Sequence, residues 1–183
     1  WWKERLNEIY HTNRIQNQPH IQCLADIIKL HKLPKKYFNK LIKYRQHDFS
    51  SEIYNKNIHL IRYIDSTTGN ILRLGLYIVG TTELSEQDNI DISHLATALK
   101  TMHVIESLKK HNFNQHPFIS KEMLESLASN NAMQKLEELV KILFLTAKQN
   151  LSDIEQSNVI NNDKLLRLYK TTIKHYIHKV EKA

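Results

Sequence analysis

The chain is poor in residues that interrupt helices: its 183 residues include 3 glycines and 3 prolines. An all-β protein of this size needs many turn residues, so the shortage excludes that class and points to long helices with few breaks. A single cysteine, Cys23, excludes an intrachain disulfide. It lies in the apolar run Ile21-Gln22-Cys23-Leu24-Ala25 and reads as a small buried hydrophobe. No run of about 18 apolar residues occurs, so no transmembrane segment is expected. The most apolar stretch, residues 71–79, is short and interrupted by Arg73. No secretory signal is visible, and the expected location is cytoplasmic, or peripheral to a membrane. With so few glycines no phosphate cradle can be built, and neither G-x-G-x-x-G, a P-loop, H-E-x-x-H nor G-x-S-x-G is present.

What is present suits one globular domain. Apolar residues make up 41% of the chain, enough for a single core over residues 1–183. The formal charge is +7, from 26 Lys and Arg against 19 Asp and Glu. These cations are scattered, and the densest group, residues 29–43, alternates with apolar side chains. That pattern fits a solvated surface, and nucleic acid is not expected as a partner.

Apolar periodicity predicts an all-α bundle of about seven or eight helices. Trp2, Leu6, Ile9 and Tyr10 share a face of a first helix that ends near His11. A second spans residues 19–31 with Ile21, Leu24, Ile27 and Ile28 inward. Pro34 suits the first position of a third, running to about His47 over Phe38, Leu41 and Ile42. The longest covers residues 52–79, capped by Ser50 or Ser51 and closed by Gly80, with Ile53, Ile61, Ile64, Ile71, Leu72 and Leu76 as core. Gly69 and Gly75 fall inside it, where each costs about 1 kcal/mol against alanine. They mark either close helix contact or a kink or thinned wall beside a cavity. Further helices are expected over residues 90–111, 120–128 and 132–151. The last is capped by Asp163 and carries Leu165, Leu166, Leu168, Ile173 and Ile177 inward.

The search for chemistry returns little. Among 11 histidines, the pairs His175/His178 and His111/His116 lack a third ligand at metal spacing and read as exposed. Glu86, Asp88 and Asp91 read as helix-start charges. No helix face carries the paired carboxylates that hold Mg²⁺ on a diphosphate.

A family resemblance supplies more. Trp1-Trp2-Lys3-Glu4-Arg5-Leu6 with Tyr10, then Tyr44-Arg45-Gln46-His47-Asp48, then Tyr63 through Gly69 to Leu72, resemble in order the W-W, A-R-x-x-D and Y-x-x-x-x-x-G segments of the squalene/phytoene synthase family. Residues 105–124 resemble its second aspartate-bearing region. The resemblance implies a partial isoprenoid-synthase-type bundle, expected without the family's N-terminal helices and without its first aspartate motif, which lies upstream of the W-W helix. It places Gly69 in the wall of a prenyl cavity. It makes Tyr63, Gly69, Lys100, His103, Ser107 and His111 the candidate cavity or diphosphate-facing residues.

The departures are chemical. His103 stands where the family has asparagine, Glu106 where it has arginine, and Ser107 and His111 where it has two aspartates. Gln115-His116 replaces a Gly-Arg pair, and Ser120 a proline. A hydroxyl and an imidazole are poor Mg²⁺ ligands, and Glu106 reverses the charge a diphosphate wants. The chain thus resembles the aspartate-poor branch of the family, which serves in assembly of mitochondrial respiratory complex I. The expectation is a non-catalytic scaffold or assembly factor with no catalytic residues, no metal site and no cofactor. It would have a protein partner or self-associate, and would keep room for a prenyl or lipid ligand. Trp1 and Trp2 are expected in an exposed apolar patch. The alternative is an active prenyltransferase condensing prenyl diphosphates, with part of its site upstream and Mg²⁺ as cofactor. In it, Lys100 and His103 would hold diphosphate.

Overall fold

A computed structural model describes residues 1–12, 18–49, 54–108, 116–129 and 131–181. It is all-α. Helices α1 (Trp2–His11), α2 (Pro19–His31) and α3 (Lys35–Arg45) are followed by a 3₁₀ turn, Gln46–Phe49. Then come α4 (Asn57–Ile64), a π-helical turn (Asp65–Gly69) and α5 (Asn70–Ile78), continuous as one long helix. Helices α6 (Glu86–Ser107), α7 (Lys121–Glu125), α8 (Ala132–Asp153), α9 (Asn158–Asn162) and α10 (Lys164–Glu181) complete the chain.

Helix α6 is the axis of the molecule. Leu95, Ala96, Thr97 and Ala98 are buried in succession, so its central turn is enclosed on all sides. Its start is fixed by a capping box in which Ser85 and Asp88 satisfy each other's backbone N–H groups. Around it, Leu60, Tyr63 and Ile64 of α4, Leu72 and Leu76 of α5, Leu139 and Leu143 of α8 and Leu166 and Ile173 of α10 form the main core. A second, smaller core sets α1, α2 and α3 against the opposite face of α5, through Leu6, Ile9, Ile21, Ile28, Tyr37, Leu74 and Tyr77.

The terminations have local causes. Gly80, at φ 112°, ends α5 in a Schellman motif, with Thr81 N–H on Leu76 O and Gly80 N–H on Tyr77 O. Ser120, Asn131, Ser157 and Asp163 cap α7, α8, α9 and α10 through side-chain oxygens. Lys170, buried on α10, donates to the carbonyls of Ile154 and Glu155 just past α8 and to Asn161 Oδ1.

Several sequence expectations are corrected. Cys23 is exposed, because Ile21, Ala25 and Ile28 form the buried face of α2. Pro19 takes a first-turn position, whereas Pro34 is the N-cap of α3. Tyr37 is the buried residue of α3, with Phe38, Leu41 and Ile42 half-buried. The long helix starts at Asn57 rather than residue 52, and its expected caps Ser50 and Ser51, with Ile53, lie outside the described residues. Ile61 and Ile71 are 44% and 51% exposed. A regular α-helix puts Ile64 and Ile71 on one face; the wider π turn between them passes that inward position to Leu72. Leu168 is exposed, and His116, expected at the surface, is buried. A break after Asp153 separates α8 from the short α9.

Candidate functional site

Helices α4, α6 and α8, with residues 118–123, enclose a cavity of ≈ 310 Å³. Its walls are mostly apolar: Leu60, Ile61, Ile64, Val104, Phe118, Met123 and Leu143. Its ionisable lining groups among the described residues are Lys100 and His94, and no carboxylate faces it. The segment bearing Phe118 is held in place by the start of α7, where Lys121 N–H donates to Tyr54 O and Glu122 takes the backbone N–H of Asn57.

One wall of the cavity, Phe118, is backed by a row of rings. Phe118, Tyr63 and Tyr54 follow one another with centroids 5.7 and 5.6 Å apart, and His47 stacks on Tyr54 at 4.1 Å. The Lys100 ammonium sits 3.5 Å over the Phe118 ring. Burial, and then the Arg45 charge, push its pKa down to about 8, against an upward pull from Asp48. Behind the rings, the Tyr63 hydroxyl donates to Asp48 Oδ1 at 2.5 Å, and Arg45 Nη1 donates to Asp48 Oδ2 at 2.9 Å and to Tyr63 Oη at 3.3 Å. Burial and the bond to Asp48 raise the Tyr63 hydroxyl to about 12. Burial favours a neutral Asp48, but the bonds from Tyr63 and Arg45 outweigh it and hold this carboxyl below its ordinary value.

Of the six expected site residues, Lys100 lines the cavity and Tyr63 packs behind its Phe118 wall. His103 is exposed and does not line it. His111 lies outside the described residues. Gly69 belongs to a different arrangement at the π turn. A β-carbon there would meet Arg73 and Asp65. Arg73, 4% exposed, donates to Asp65 Oδ1, Asn70 Oδ1, Asn89 and Ser93. Gly75 faces Leu165, whose Cδ2 would be 3.3 Å from an added β-carbon, and so marks a close helix contact.

Ser107 pairs with His116, whose Nε2 is 2.7 Å from its Oγ. This resembles a nucleophile and its base, but the proton is on the wrong side. Phe118 N–H donates to His116 Nδ1, so Nε2 carries the hydrogen and donates to Ser107. The serine hydroxyl then donates to Val104 O. The pair ties residues 116–118 to α6.

These contacts also decide the fit of Mg²⁺. Ser107 Oγ is committed, Glu106 and His103 point to solvent, and no three His, Cys, Asp or Glu side chains converge among the described residues. The described residues do not fit a metal that requires several oxygen ligands.

Residues 1–160 match the family model for squalene/phytoene synthase. The chain belongs to the squalene/phytoene synthase family. Within this family it is 26% identical, over 85% of its length, to a Dictyostelium discoideum protein named NADH dehydrogenase (ubiquinone) complex I, assembly factor 6 homolog. To the Bos taurus NADH dehydrogenase (ubiquinone) complex I, assembly factor 6, it is 23% identical over 75% of its length. The chain covers 46% and 41% of those two proteins, less than half of each. No solved structure matches significantly.

Sequence reasoning used Asp48 only as part of a motif and missed its bond to Tyr63. It treated Arg73 as an interruption. A lone arginine in the most apolar run of the chain was the available signal that a buried partner awaited it.

Proposed function

We propose that this domain is a non-catalytic member of the squalene/phytoene synthase family, acting as a scaffold in the assembly of respiratory complex I. The observation that carries the reading is the state of Ser107. At a position where the family resemblance places a metal-binding aspartate, this chain has a hydroxyl bonded to Val104 O and His116. Both named relatives support the assembly role. On this reading the domain needs neither Mg²⁺ nor another cofactor. It works through a protein partner, in mitochondria.

No helix among the described residues is long and apolar enough to cross a membrane. The surface this reading offers to a partner is the groove beside Trp1 and Trp2, which are 54% and 48% exposed, with Phe49 fully in solvent at its edge.

The test is complementation. In cells depleted of the endogenous protein, assembled complex I is measured on native gels after re-expression of wild type or of a Trp2→Ala/Phe49→Ser variant. Wild type restores the complex and the variant restores less. Mg²⁺-dependent turnover of farnesyl diphosphate by the purified protein overturns the non-catalytic reading.

A further inference from the structure

Of the buried cations, Arg5 pairs with Glu8 through Nη2 only, whereas Arg73 and Lys170 are surrounded by acceptors. Arg73 meets acceptors from Asp65, Asn70, Asn89 and Ser93. Lys170 meets two carbonyls and an amide oxygen. Lys100 is half-buried at the wall of an apolar cavity, yet among the described residues its ammonium has no hydrogen bond and no ion pair, only the face of Phe118. A desolvated ammonium without an anion is costly, and a ring face replaces only part of its hydration. The nearby carboxylate, Asp48, is already shared between Tyr63 and Arg45.

We propose that this cavity binds an aliphatic monocarboxylate, with its carboxylate on the Lys100 ammonium and its chain among Leu60, Ile64, Val104 and Leu143. The volume, ≈ 310 Å³, lies at the small end of ligand pockets, which suits a medium-length chain. The charge count selects the head group. A diphosphate carries several negative charges and would meet one ammonium here, no other strong cation on the described walls and no metal ligands; a carboxylate is matched by Lys100 alone. A neutral chain of the same length would leave the ammonium unpaired. This goes beyond the assembly role and does not depend on it.

The experiment is calorimetric titration of the purified protein at neutral pH with decanoate, decanol, and farnesyl diphosphate with and without Mg²⁺. Decanoate is expected to bind at one site, about ten- to a hundredfold tighter than decanol, the increment of a hydrogen bond to a charged group. Lys100→Met should abolish that preference and leave decanol binding unchanged. Lys100→Arg should keep most of it. Leu143→Trp, which fills the cavity, should weaken both ligands. Should Lys100→Met fail to fold, the wild-type Lys100 ammonium is followed by ¹⁵N NMR, where decanoate must shift its resonance and decanol must not. Equal binding of decanoate and decanol, indifference to Lys100→Met, or tighter Mg²⁺-dependent binding of farnesyl diphosphate overturns the proposal.

Discussion

The Arg73 guanidinium occupies the space that a β-carbon on residue 69 would need: such an atom would lie 2.7 Å from Arg73 Nη1 and 2.9 Å from Asp65 Oδ1. Helix propensity alone favours alanine over glycine at this position by about 1 kcal/mol. The contact reverses that preference, because the guanidinium must move and give up buried hydrogen bonds. Gly69→Ala is expected to destabilise the protein by about 1–3 kcal/mol, read from urea denaturation. A gain in stability would refute the packing argument.

Removing the guanidinium should cost more. Arg73→Met takes the cation from Asp65, which keeps the Ser93 hydroxyl as donor, and leaves the Asn89 acceptors unfilled, so a loss of about 2–4 kcal/mol is expected. Arg73→Lys should not restore it, since one ammonium cannot reach acceptors on both the π turn and α6. Arg73→Met/Asp65→Asn should recover part of the loss. The midpoints of the three variants in a thermal melt separate these outcomes.

Asp48 sets an acid limit. Its carboxyl is held below the ordinary aspartate value by bonds from Tyr63 and Arg45. A group with a depressed folded pKa contributes stability above its unfolded value and loses it as pH falls through the folded one. Wild type should therefore lose stability below about pH 4 faster than Asp48→Asn, with the gap between them closing as acid is added. Parallel curves for the two proteins would show that the Tyr63–Asp48 bond does not persist in solution.

Lys100 acts at the other end of the scale. Its folded pKa, about 8, lies below the ordinary lysine value of 10.5. Between those values the unfolded chain binds the extra proton, so this group makes the protein more stable as pH rises through the window. Lys100→Met removes the contribution. Its stability relative to wild type should fall from pH 8 to 10.5, measured as the difference between the two urea midpoints, in which the shared titrations of other lysines and tyrosines cancel.

Much of the architecture was legible in the chain. The scarcity of glycine, the caps at Ser120 and Asp163 and the stop at Gly80 are local signals with local causes, and each operates where it was read. The family assignment was legible too, through the W-W and Y…G segments. The site was less so. Tyr63 and Lys100 meet through Phe118, a residue with no distinguishing pattern around it, and Ser107 takes as its partner His116, 9 positions further on. Such pairings depend on how helices dock, which periodicity does not encode. Ile71 was misassigned for a related reason: a fixed 3.6-residue period cannot anticipate a turn wound more widely.

That wider turn gives the long helix one place where it can lose a residue and stay in phase. Through it, Leu60 and Ile64 before the turn and Leu72 and Leu76 after it all serve the main core, while Leu74 and Tyr77 serve the smaller one. Each residue advances an α-helix by about 100°. Deleting one residue between positions 65 and 69 would let the turn relax to an ordinary α-helix, with Ile64 and Leu72 seven residues apart and still on one face. A single-codon deletion within α4 or α5 themselves would instead rotate everything beyond it by about 100° and set the two cores against each other.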